Sequence, residues 1–287
     1  MVTANLEKTS GTKSKSVNYE VVGGRKNVIR KEDNIVKTSS RAQIGHQTSI
    51  LPSLDDLPMI DRSLIDYTKY HKYVGHAGRK YSMAMQATRG CPYKCFYCDI
   101  YKTTINHYRR SVDNIVEEVK ILYDMGIRRI EFIDDIFNVN VKHCASFFNS
   151  VKKAGMDIEF MFPNGLKGDL FTKELLDIMI EGGLGGMNLS LEHASPRMQK
   201  VMRKNLDVEK FRENIQYVAT KYPSVVVGLY TMHGFPTETE EEAHETLNFI
   251  KSIKWVHFPY MFNVRFFSGT EIEHFALEQG ISKKVIE

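Results

Sequence analysis

No stretch of eighteen consecutive apolar residues occurs in this sequence, so none of it reads as a membrane-spanning helix. The first residues, Met1 to Lys15, also lack the apolar core of a secretory signal, and a cytoplasmic protein is expected. An excess of charge of either sign is missing from most of the chain. Residues 1–50 hold nine Lys or Arg against four Asp or Glu, and the remaining residues hold 30 against 31. The basic, Ser/Thr-rich stretch 1–50 carries none of the aromatic-basic pattern of an RNA-binding module, so it reads as a flexible, solvated leader and nucleic acid is not expected as a partner. Within it, Tyr19–Val22 and Asn27–Ile29 can pair as a short hairpin around Gly23-Gly24.

Cysteine is scarce, with four in 287 residues, which is too few for a disulfide framework. Three of the four fall within eight residues, in Arg89-Gly90-Cys91-Pro92-Tyr93-Lys94-Cys95-Phe96-Tyr97-Cys98. Gly90 and Pro92 favour a loop that lets Cys91, Cys95 and Cys98 converge on one inorganic centre. A closed structural zinc site wants four protein ligands, and no second cysteine pair or neighbouring His pair supplies them. An iron-sulfur cluster held by three thiolates keeps one iron open to a reagent. The fourth cysteine, Cys144, is spaced with Phe147, Phe148 and Val151 as on one helix face, and reads as core packing.

What is abundant is a rhythm. After residue 80, short apolar runs alternate with amphipathic helical patterns, as in repeated strand-helix units around a parallel sheet. Six units are expected. Their strands are read at Tyr81–Ala87, Arg129–Ile133, Ile158–Phe162, Met187–Leu191, Ser224–Met232 and about Tyr260–Phe266. Ser111, Asn140, Ser195-Pro196 and Asp207 mark helix starts, and Thr239-x-x-Glu242 and Thr270-x-x-Glu273 read as capping boxes. Candidate site residues fall at the strand ends, where ligands sit in sheets of this kind: the three cysteines after the first strand, Asp134-Asp135 after the second, Asn164 after the third, Glu192 closing the fourth, and His233 with Gly234-Phe235-Pro236-Thr237-Glu238-Thr239 after the fifth. Asn164 reads first as a turn former and His233 as a structural group. Arg265, near the end of the sixth, suits an anionic substrate or an ion pair equally.

The pattern Cys91-x3-Cys95-x-Tyr97-Cys98 closely resembles the cluster motif of the radical SAM superfamily. That resemblance covers residues 80–280 and implies an α/β fold, an open six-stranded parallel (β/α)6 partial TIM barrel with an irregular N-terminal extension. It implies a four-iron four-sulfur cluster on Cys91, Cys95 and Cys98, whose open iron binds S-adenosylmethionine, and reductive cleavage to a 5'-deoxyadenosyl radical. It further implies Tyr97 near the adenine, Glu192 at the ribose and carboxylate region, and Gly234 and Glu238 in a strand-five motif shaping the adenine pocket. Many members carry a Gly-Gly-Glu turn after strand two to bind the methionine amino group. Here Asp134-Asp135-Ile136-Phe137 stands instead, and either carboxylate is apt for an ammonium group.

Asp134 to Phe137 is similar to the cobalamin-associated branch and the anaerobic magnesium-protoporphyrin ester cyclases. So is Leu54-Asp55-Asp56-Leu57-Pro58-Met59-Ile60-Asp61-Arg62-Ser63-Leu64-Ile65-Asp66, which resembles the connector after a cobalamin-binding domain. Only about fifty residues precede it here, too few for that domain, and cobalamin, where the reaction uses it, is expected from a partner chain or a missing domain. The expected division is a leader 1–50, a connector 51–79 and a barrel 80–287. The function expected is radical chemistry on an unidentified small-molecule or peptide substrate, by methyl transfer, ring formation or another modification, with a flavodoxin- or ferredoxin-type electron donor. The alternative is a non-catalytic truncated barrel holding zinc or a structural cluster and acting as a partner protein.

Overall fold

The computed structural model describes residues 28–31, 34–37, 53–70, 81–100 and 106–286. The chain divides into two compact units, Met1–Leu51 and Pro52–Glu287. In the first, β1 (Val28–Lys31) pairs antiparallel with β2 (Asn34–Lys37). The hairpin therefore lies C-terminal to the one expected around Gly23-Gly24; Tyr19–Val22 falls outside the described residues. No helix among the described residues is long and apolar enough to cross a membrane.

The second unit is built on six parallel strands in chain order: β3 (Ser82–Met85), β6 (Arg129–Phe132), β7 (Glu159–Leu166), β8 (Leu184–Glu192), β9 (Val226–His233) and β10 (Phe258–Asn263). β3 and β10 are the two edges, so the sheet is an open partial barrel and not a closed one. A separate ribbon, β4 (Thr88–Arg89) against β5 (Tyr108–Arg109), rises beyond β3. The helices are α1 (Val112–Asp124), α2 (Val141–Lys153), α3 (Lys173–Glu181), α4 (Pro196–Val201), α5 (Val208–Lys221), α6 (Glu240–Ser252), α7 (Glu271–Glu278) and α8 (Lys283–Ile286).

The helices form where a side chain caps the first turn and apolar residues recur on one face. Ser111, Asn140, Thr172, Ser195, Asp207 and Thr239 each accept a hydrogen bond from the amide three residues on. Thr239 and Glu242 complete a reciprocal capping box. The second expected box does not form. Thr270 donates its hydroxyl to the Phe267 carbonyl, and Glu273 accepts from the Gly269 amide.

The core fills the space between the sheet and its helices. Phe132, Phe160 and Phe162 of β6 and β7 meet Phe147 and Phe148 of α2, with Phe137 between them and ring centroids 4.9–6.5 Å apart. Cys144 is wholly buried in this cluster, as its spacing predicts. The stretch before the barrel is strapped to the β3–α1 unit. Arg62 donates to the Ala84 carbonyl (2.9 Å) and to Glu118 (2.8 Å), Asp55 accepts from the Ser111 amide (2.8 Å), and the Tyr67 hydroxyl donates to the Met125 carbonyl (2.5 Å).

Candidate active site

Cys91, Cys95 and Cys98 occupy one loop that leaves β4, and each is partly buried and in no disulfide. Gly90 turns the chain into the loop at φ +84°, a conformation that favours glycine. The Cys98 amide bonds the Cys95 carbonyl (3.0 Å) and the Phe96 amide bonds the Met202 carbonyl (3.1 Å), so the loop is anchored from within and from the end of α4. Burial pushes the Cys91 thiol up to about 11, and the neighbouring Cys95, Cys98 and Asp135 charges push the same way. Burial raises Cys95 and Cys98 as well; Lys204 opposes it at both, and Lys167 at Cys95. Thiols kept protonated by burial, two of them also by a neighbouring cysteine, suit a cationic centre that would stabilise their thiolates.

The two aspartates after β6 part company. Asp134 is buried and turns inward, accepting from the Ala87 amide (3.1 Å) and from the Thr88 amide and hydroxyl, the last at 2.6 Å. It thereby fixes the junction between β3 and the cysteine loop, and burial lifts its carboxyl to about 6. Asp135 points to the loop itself, where its carboxylate accepts from the Gly90 amide (2.8 Å).

Glu192 closes β8 in a left-handed conformation, φ +64°, where the register with β9 slips between Ser190 and Glu192. Its carboxylate meets Lys204 at 3.0 Å, with both side chains about nine-tenths buried. The Lys204 ammonium also lies 3.4 Å from the Tyr97 hydroxyl, and burial, then the Glu192 charge, raises that phenol well above its usual range. Tyr97, Phe96 and Phe235 form an aromatic knot, with Phe96 stacked on Phe235 at 6.2 Å. The structure thus gathers the cysteine loop, Asp135, Tyr97, Glu192 and Lys204 into one place.

The Gly234–Thr239 turn borders the same knot, but Glu238 is spent inside the protein. One of its oxygens accepts from the Gly234 and Phe235 amides and the other from buried His193 (3.0 Å). Because His193 Nδ1 accepts from the Ser195 amide, its Nε2 carries the proton that goes to Glu238. Of the side chains in the turn, Phe235 and not Glu238 faces Tyr97. Asn164 donates to the Asp134 carbonyl (3.3 Å), while His233 and Arg265 are exposed at the rim. Sequence reasoning missed Lys204, His193 and Lys167. Lys204 sits between Arg203 and Asn205, both at positive φ, in a turn with no Gly or periodic pattern to mark it.

The Radical SAM superfamily model matches residues 85–250. This chain belongs to the radical SAM superfamily. Members of this superfamily use a four-iron four-sulfur cluster and S-adenosylmethionine. Among curated relatives, an uncharacterized methyltransferase of Pyrococcus horikoshii is 29% identical over 206 residues, 71% of this chain and 43% of the relative. A tRNA-2-methylthio-N(6)-dimethylallyladenosine synthase of Aquifex aeolicus is 25% identical over 236 residues, 79% of this chain and 51% of the relative. The chain therefore spans about half the length of these relatives. Among solved structures, the radical S-adenosylmethionine methyltransferase TsrM of Kitasatospora setae, with tryptophan and a SAM analogue bound, superposes with TM-score 0.63 at 17% identity over 75% of this chain and 41% of TsrM. The cobalamin-dependent radical enzyme OxsB gives TM-score 0.53 at 16% identity, covering 71% of this chain and 30% of OxsB. Both likenesses are of fold.

Proposed function

We propose that this radical SAM chain is the catalytic core of an enzyme that binds a cluster through Cys91, Cys95 and Cys98 and consumes S-adenosylmethionine in a methyl- or methylthio-transfer reaction. The observation that carries the proposal is the convergence of three free thiols with a buried carboxylate–ammonium pair on one side of the sheet. Among the described residues no three His, Cys, Asp or Glu side chains gather tightly enough to hold a single metal ion. Three thiols on one loop match the ligand count of a cluster that keeps one iron open, whereas a closed zinc site wants four protein ligands. When bound, that cluster supplies one electron to the sulfonium of S-adenosylmethionine.

The chain's own residues have separable tasks. Glu192 and Lys204 present opposite charges side by side, complementary to the ammonium and carboxylate of an amino acid. Tyr97, backed by buried Phe235, offers an aromatic ring to a purine. Asp134 and Asp135 hold the loop by its backbone. The electron donor is taken to be a flavodoxin- or ferredoxin-type protein, and cobalamin, where the reaction uses it, would come from outside residues 53–286.

The reading favours transfer over ring formation because the curated relatives are a methyltransferase and a methylthio-forming synthase. Anaerobic reconstitution with iron and sulfide tests it. The reduced protein should hold four irons and cleave S-adenosylmethionine to 5'-deoxyadenosine and methionine, the reductant supplying the electron. A protein that takes up iron yet leaves S-adenosylmethionine intact would sink the proposal.

A further inference from the structure

A second buried ion pair stands near the cysteine loop and has no part in the chemistry above. Lys167 directly follows β7, and its ammonium meets both oxygens of Asp169, at 2.7 and 2.9 Å, with each side chain about nine-tenths buried. Three side chains hold the backbone of this turn. Asn138, wholly buried, accepts from the Lys167 amide (3.2 Å) and donates to its carbonyl (2.9 Å). Asn214 donates to the Gly168 and Phe171 carbonyls (2.9 and 3.1 Å), and Asp169 accepts from the Asp207 amide (3.2 Å). The ammonium is thereby fixed 5.3 Å from the centre of the Tyr93 ring, and Tyr93 is two residues from Cys91 and two from Cys95.

Stability does not account for the pair. In a site this closed the desolvation of two charges offsets most of their attraction, and apolar residues of similar volume often stabilise a fold as well or better. What the pair provides is fixed charge beside the thiols. Burial raises the Cys95 thiol, and the Lys204 and Lys167 charges oppose it. Burial raises the Tyr93 phenol, and the Asp169 charge adds to it. Lys204 is matched to Glu192 and the Tyr97 hydroxyl, whereas Lys167 lies over Tyr93 inside the first ligand spacing. Reduction adds one negative charge to a cluster already held by three thiolates. A nearby ammonium therefore favours the reduced form, and a nearby carboxylate opposes it.

We propose that Lys167 is a positioning residue for the cluster: held by Asp169 against Tyr93, its ammonium eases one-electron reduction of the centre on Cys91, Cys95 and Cys98. It acts through the loop and its thiolates, not on the reacting atoms. This rests on the radical SAM reading, since without a cluster on those thiols the charge has nothing to act on.

The test is an equilibrium redox titration of the full chain reconstituted with iron and sulfide, without S-adenosylmethionine. Titanium(III) citrate supplies the electrons, and electron paramagnetic resonance counts the reduced cluster. Lys167→Met keeps the length of the side chain and removes its charge; Asp169→Asn keeps the shape of its partner and removes the opposite charge. At the potential that half-reduces the parent, Lys167→Met is expected to hold at least ten times as much oxidised as reduced cluster, a fall of about 59 mV for one electron. Asp169→Asn should shift at least threefold towards the reduced form. Opposite signs are what a charge effect requires, whereas a pair that only holds the loop would move both variants one way or neither. Shifts of one sign, or none, in variants that hold four irons would overturn the inference. If Lys167→Met takes up no iron, Asp169→Asn decides alone, and an unchanged or lowered potential overturns it. Loss of iron uptake in both variants overturns it too, because the pair would then hold the loop and not its potential. Failure of the parent to take up four irons defeats the cluster reading itself, while missing shifts in loaded variants defeat only the role of Lys167.

Discussion

Asp134 shows how one residue's environment becomes a measurable slope. Its carboxyl is lifted from an ordinary 3.8 to about 6 by burial, against the three hydrogen bonds it accepts from Ala87 and Thr88. A raised folded value means that the folded protein holds a proton that the unfolded chain releases between pH 4 and 6. The stabilisation is complete below about pH 4 and is lost as pH rises towards 6, by up to about 3 kcal/mol. Urea unfolding of the cluster-free protein from pH 4 to 7 should show that decline, and Asp134→Asn should flatten it whatever it does to absolute stability. The buried pair makes a second prediction. Lys204→Met strands the Glu192 carboxylate in a site about nine-tenths buried, and such a loss costs about 3–5 kcal/mol. Adding Glu192→Leu to that variant should recover most of the loss. A double-mutant cycle on urea midpoints measures the coupling, and strictly additive losses would contradict it. In the sequence Asp134 and Asp135 were indistinguishable, because adjacent carboxylates in a turn carry no mark of which one faces inward. The structure separates them by partner, Thr88 for one and Gly90 for the other.

Elements were more legible than residues, since caps and periodicity are local properties of the chain. Ser111, Asn140, Ser195, Asp207 and Thr239 all cap where the sequence marks them. Strand ends were less legible. β8 runs from Leu184 through Gly185 and Gly186, although glycine weakens a strand, because Glu159 and Met161 of β7 occupy the space that side chains at those positions would need. The first strand was read through to Ala87 but stops at Met85, where Asp134 takes the Ala87 and Thr88 amides out of the ladder. Thr270-x-x-Glu273 had the letters of a capping box without its bonds, since a nearer carbonyl at Phe267 takes the hydroxyl. The contrast is testable. Thr239→Ala removes the hydroxyl half of a formed box, leaving the backbone amide of that residue on Glu242, and should cost about 1 kcal/mol, while Glu273→Ala at a partly exposed position should cost well under half of that. Urea midpoints of the two variants, measured side by side, should fall in that order.

At the scale of the whole molecule, the six-unit order was readable because each strand-helix pair buries its own apolar face and repeats down the chain. The concave face was not readable. Its residues are the polar, small or aromatic partners in each alternation, which a periodicity argument assigns to solvent. This division between a packed convex side and an open concave side also separates stability from chemistry. The phenylalanine core lies between the sheet and the helices, whereas Cys91, Cys95 and Cys98 sit on a loop outside the six strands, held by Asp135, by the Met202 carbonyl and by their own turn. None of those anchors is a thiol. Replacing all three cysteines with alanine should therefore abolish iron uptake and consumption of S-adenosylmethionine, yet leave the unfolding free energy of the iron-free protein, read by urea, within about 1 kcal/mol of the parent. A structural zinc protein behaves in the opposite way, because its metal-binding free energy is its folding free energy. Collapse of the triple variant, with loss of helical circular dichroism, would mean that the thiols hold the fold together and that the loop was never an independent site.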